Sequence, residues 1–143
     1  MNYPAHKLKI FILTVIICLT LQIATNAEEP RTFCRFVPER SDDFAWENDK
    51  IAFRMYGKAL EGTKENAYGI DVWVKRTDKL VLNERYKKAD YHVDHGDGMD
   101  YYHVGFSLGA GNIAPYIHDS IFYSKNYRQW KVLDNGPLRS TFI

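Results

Sequence analysis

Apolar and polar residues alternate with a period of two from Lys50 to Tyr56: Ile51, Phe53 and Met55 fall on one side and Ala52, Arg54 and Tyr56 on the other, before Gly57 closes the run. The period returns from Ile70 to Arg76, where Ile70, Val72 and Val74 oppose Asp71, Trp73 and Lys75. Both read as half-buried strands with the aliphatic set turned to the core, which leaves Arg54 near solvent or a ligand. His103 to Leu108, Ser120 to Ser124, Tyr127 to Leu133 and Leu138 to Ile143 are further short strands, parted by turn-prone pieces such as Lys125-Asn126 and Asp134-Asn135-Gly136-Pro137. Only Asp78 to Lys88 suits a helix, and a short one. Strands at this spacing predict an all-β, antiparallel β-sandwich.

The first segment reads differently. Lys7 and Lys9 precede an apolar run from Ile10 to Leu21, and Thr25-Asn26-Ala27 offers small residues where a signal peptidase cuts. Residues 1–27 are therefore expected to be a signal peptide, and the remainder secreted or periplasmic. The run is shorter than the ~20 residues that span a bilayer, so no stable membrane anchor is expected. Residues 28–143 are expected to be the N-terminal part of a truncated sandwich domain, because the strand pattern from Leu138 to Ile143 has no closing turn.

Charge narrows the partners. Nineteen basic and eighteen acidic residues give a formal charge of +1, and no Lys/Arg cluster stands out, which argues against nucleic acid. The leader takes two lysines and no acid with it, so the mature chain is slightly acidic. Cys34 is the one cysteine after the leader and, between Phe33 and Phe36, reads as a small buried hydrophobe. Aromatic residues make up 15% of the chain, with Tyr the most numerous, which suits strands and sugar-binding surfaces.

Two stretches carry candidate chemistry. Around Trp46-Glu47-Asn48, an aromatic, an acid and an amide precede the strand that bears Arg54, a set fit to hold a sugar ring, its hydroxyls or a uronate carboxylate; a plain polar turn is the alternative. From Tyr91 to His103 the chain gathers His92, His95, Asp94, Asp100 and Tyr101, and five of the nine glycines fall between Gly96 and Gly111. His92 and His95 with Asp94 or Asp100 form a candidate divalent-cation set. The pattern matches neither an EF-hand nor a helical zinc site, so no cofactor is expected and the metal stays open.

The runs Asp43 to Gly57, Gly69 to Trp73, Tyr91 to Asp100 and Trp130 to Arg139 resemble the N-terminal part of domain-of-unknown-function family 4861. The resemblance implies a secreted protein of bacterial polysaccharide degradation, with a β-sandwich similar to galactose mutarotase-like supersandwiches, of which this chain would be an incomplete piece. Its expected partner is then an oligosaccharide or polysaccharide. The expected function is that of a carbohydrate-active protein, with a lyase on uronate-containing glycans as the reaction class. His92, His95 or Tyr101 would act as base and Arg54 would neutralise the carboxylate, while Trp46, Glu47, Asn48, Trp73 and Asp100 bind substrate. A non-catalytic carbohydrate-binding module and a structural domain without activity are the competing readings.

Overall fold

The computed structural model describes residues 9, 10, 12–15 and 29–143. Most of the expected signal peptide lies outside these residues. Among them, no helix is long and apolar enough to cross a membrane.

The architecture is mostly β and antiparallel, in the manner of a sandwich. Strands β1 (Thr32–Val37), β2 (Asp43–Asn48), β3 (Ile51–Met55), β4 (Ile70–Lys75) and β5 (Gly98–Asp100) form one five-stranded sheet in chain order. Two short hairpins come after it, β6 (Tyr116–Ile117) with β7 (Ser120–Ile121) and β8 (Val132–Asn135) with β9 (Ser140–Phe142). The helix α1 (Leu82–Lys88) lies between β4 and β5 in sequence.

Period-two alternation gives the sheet two unlike faces. Cross-strand partners share a face, so Val37, Asp43, Ala45, Glu47, Ala52, Arg54, Asp71, Trp73, Lys75 and Asp100 all stand on one side. This charged side is the buried one. Glu47 holds α1 over it by accepting from the backbone N–H of Val81 and Leu82, and Tyr86 and Tyr91 pack on Trp73. The expectation that Ile51, Phe53 and Met55 face the core while Arg54 meets solvent is therefore reversed: those three are only half-buried, and Arg54 is 4% exposed. Periodicity separates two faces, but the identity of the covered face depends on where the helix docks.

The opposite, apolar side is covered mainly along β1 and β2. Phe142 of β9 packs on Phe44 and Trp46, and Trp130 stacks on Phe36. The β8–β9 turn grips the outer edge of β1, where the Asn135 side chain both accepts from Cys34 N–H and donates to its carbonyl. Cys34 is fully buried, as expected of a small hydrophobe, and its thiol is pushed up by burial.

Three local expectations change. Trp46-Glu47-Asn48 is the end of β2 rather than a turn, and Asn48 Oδ1 instead accepts from the N–H groups of Lys50 and Ile51 to close the β2–β3 hairpin. The stretch from His103 to Leu108 is a turn, with Ser107 N–H and Oγ both bonded to the Val104 carbonyl and Gly105 at φ 51°. Strand β8 begins only at Val132, within the stretch expected from Tyr127.

Candidate functional site

A guanidinium ringed by acids and aromatic rings lies at the centre of the buried face. Arg54 Nε donates to Asp71 Oδ2 at 2.7 Å, and Nη2 lies 3.3 Å from Tyr56 OH and 3.5 Å from Asp100 Oδ2. Asp43 Oδ2 is 3.6 Å from Nη1. The register places these groups together: Arg54 opposes Asp71 across β3–β4 and Ala45 across β2–β3, and Trp73 opposes Asp100 across β4–β5. The cation also sits 4.8 Å from the Tyr56 ring centre, 4.9 Å from that of Tyr91 and 5.4 Å from that of Trp73.

Three carboxylates surround one guanidinium, and two of them hold protons more tightly than usual. Burial pushes the Asp43 carboxyl up to about 6 even though Arg54 and Arg40 oppose the shift. Burial, reinforced by the charge of Asp71, likewise raises Asp100 to about 6 against the pull of Arg54. Among the described residues, Arg54 Nη1, Asp43 Oδ1 and Trp73 Nε1 find no hydrogen-bond partner, so the cluster is tight but not fully paired there.

The cluster reaches the surface beside β5. Asp100 is 1% exposed, whereas the His92 side chain is 61% exposed and turns its Nδ1 toward Asp100, 3.4 Å from the backbone carbonyl and 3.6 Å from Oδ2. Tyr101, the next residue, is 58% exposed. Gly98, at φ 95°, lets β5 approach β4 so closely that a Cβ there would collide with the Val74 carbonyl.

Of the residues singled out from the sequence, Arg54, Trp73, Asp100 and His92 are thus linked in one chain of contacts, and the exposed Tyr101 follows Asp100 in sequence. The rest lie elsewhere. His95 faces Asp90 at 3.2 Å in a crevice against α1, lined also by Glu84, Arg85 and Lys88. Trp46 stacks on Phe53 across the apolar face. Glu47 is saturated by Lys75 Nζ at 2.9 Å and the start of α1, and Trp73 is 0% exposed, so neither offers a surface to a sugar. An open depression of about 1010 Å³ lined by Arg31, Asp49, Lys50 and Asp78 shares no residue with the His92–Asp100 pair. Among the described residues no group of three or more His, Cys, Asp or Glu is placed to hold a metal ion.

Sequence reasoning passed over Asp43, Asp71, Tyr56, Tyr86 and Tyr91. The signal was present: Asp43, Arg54 and Asp71 occupy the same alternate positions of three successive strands, and opposite charges on one face of paired strands mark a neutralising cluster as readily as a solvated surface.

Comparison with known proteins points to one family. The profile of the family described as "Domain of unknown function (DUF4861)" matches residues 19–143. "Uncharacterized protein P7" of Formosa agariphila is 41% identical over 123 residues, which cover 78% of this chain and 31% of that protein. The chain thus spans about a third of the length of the curated relative it matches. No solved structure matches.

Proposed function

The chain belongs to the DUF4861 family, and from that premise we propose that it is part of a secreted or periplasmic carbohydrate-active protein, a lyase on uronate-containing glycans with His92 as the base. One observation carries the reading: a largely exposed imidazole has Nδ1 3.4 Å from the backbone carbonyl and 3.6 Å from the carboxylate of the buried Asp100, and the next residue in the chain is the exposed Tyr101. In β-elimination, His92 takes the proton from C5 of the uronate, the C4–oxygen bond breaks, and the electron pair becomes the C4–C5 double bond. The departing oxygen gains a proton, a role we assign to the hydroxyl of Tyr101, the exposed residue that follows Asp100 in the chain.

Arg54 takes a different part from the one its charge suggests. Sealed under Tyr56, Trp73 and Tyr91, it does not reach the glycan carboxylate and acts through Asp100 instead. The leader pattern from Lys7 to Ala27 supports export, and the near-neutral charge supports a glycan over nucleic acid.

The test is incubation of the full-length protein with pectic, ulvan and arabinogalactan oligosaccharides. Lyase chemistry gives the ultraviolet absorbance of an unsaturated uronate. His92→Ala abolishes it and His95→Ala leaves it. Equal loss in both variants, or no absorbance with any uronate glycan, removes the reading. A second reading, a non-catalytic binding module, draws on the exposed rings of Tyr101, Phe106, Tyr116 and Phe122, which are faces for sugar stacking. It predicts retention of oligosaccharide without cleavage.

A further inference from the structure

We propose that Asp100 is a positioning residue that fixes His92 as the Nδ1–H tautomer and leaves Nε2 with a free electron pair toward solvent, and that Arg54 anchors Asp100 from beneath. Two oxygens face Nδ1, the Asp100 carbonyl at 3.4 Å and the carboxylate Oδ2 at 3.6 Å. The backbone carbonyl, at hydrogen-bond distance, only accepts, so Nδ1 is the donor, and the negative charge of Oδ2 just beyond that distance favours the same N–H. A neutral imidazole that donates from one nitrogen presents a lone pair at the other, which is the state a general base requires.

The anchoring is equally specific. Asp100 Oδ1 accepts from Tyr102 N–H at 3.3 Å, which turns Oδ2 to the side shared by His92 and Arg54 Nη2. The backbone N–H of Asp100 donates to the Tyr91 carbonyl at 2.8 Å, and the Tyr91 ring stacks on Trp73 at 5.0 Å. The residue before His92 is therefore pinned both by main chain and by ring, and Arg40 Nε adds a 2.7 Å bond to the Tyr91 hydroxyl. The groups behind hold the one in front: Asp71 holds Arg54, Arg54 and the Tyr102 N–H hold Asp100, and Asp100 fixes the imidazole.

The proposal deepens the lyase reading but is measured without a glycan. In the ¹⁵N-labelled protein, two-bond proton–nitrogen correlations of the neutral His92 ring report which nitrogen carries hydrogen. The expected result is Nδ1–H as the dominant form in the unaltered protein. Asp100→Asn keeps the shape but replaces one carboxylate oxygen with an amide that donates, so the Nδ1–H form drops to the minor one. A dominant Nε2–H form in the unaltered protein overturns the proposal, and this measurement needs no variant to fold. An unchanged tautomer in Asp100→Asn also overturns it, by assigning the effect to the backbone carbonyl. Should the tautomer be as expected while no uronate glycan is cleaved, the lyase reading fails and the positioning role stands.

Discussion

Arg54 and Asp71 are direct cross-strand partners, and the 2.7 Å bond between Nε and Oδ2 joins β3 to β4 on the face that the helix covers. Asp43 and Asp100 lie on the far sides of the same guanidinium, so this one cation balances acids contributed by β2, β4 and β5.

Removing that cation leaves buried carboxylates without the counter-charge they share. Arg54→Met is expected to cost about 3–5 kcal/mol, the range for breaking a buried pair by taking out one partner. Arg54→Lys keeps the charge but loses the planar fork, and is expected to cost about 1–3 kcal/mol. Urea unfolding of the full-length protein checks both, and a loss under ~1 kcal/mol for the methionine variant would show the acids already neutral.

The raised carboxyls set a pH dependence of definite sign. Asp43 moves from 3.8 to about 6 on folding, so the folded state binds the proton more tightly than the unfolded state does. Its contribution is most favourable below about pH 4 and is lost as pH rises to about 6, and Asp100 adds in the same direction. Asp94, half-buried, and Glu84, exposed, are lowered by their bonds to Arg76 and Lys87 and act with the opposite sign. Asp43→Asn separates these contributions. Relative to the unaltered protein, the variant is expected to gain about 2–3 kcal/mol of stability between pH 4 and pH 7. Melts in urea across that range that run parallel for the two proteins would contradict it.

Glu47 is bound by Lys75 Nζ and by the N–H groups of Val81 and Leu82, so it ties the end of β2 to β4 and to the start of α1 at once. Glu47→Leu should cost about 3–5 kcal/mol because a buried ammonium and two backbone donors lose their acceptor together. Lys75→Met alone should cost a similar amount. The double variant Glu47→Leu with Lys75→Met should cost clearly less than the two single losses added, since neither charge is then left alone. Circular dichroism melts of the four proteins measure the coupling; strict additivity would mean that the pair is energetically independent.

Alternation along the chain determined much of this molecule. Ile51 to Met55 and Ile70 to Lys75 are strands where the period of two places them, the short helix falls inside Asp78 to Lys88, and the whole is antiparallel and mostly β. Strands β1 and β2 were less legible, because Cys34, Arg35, Phe36 and then Phe44, Ala45, Trp46 mix apolar and polar residues without a clean period. The gathering of histidines and acids between His92 and Asp100 contains one contact with the central cluster, that of His92 with Asp100. What the tertiary structure decided was the inward face. A strand exposes the same alternation whichever side is covered, and its hydropathy favours burying Ile51, Phe53 and Met55. Here α1, Tyr86 and Tyr91 cover the other side, where each charge finds a partner from a different strand. Such partners are far apart in sequence, Arg54 from Asp100 by 46 positions, and only the strand register brings them within reach.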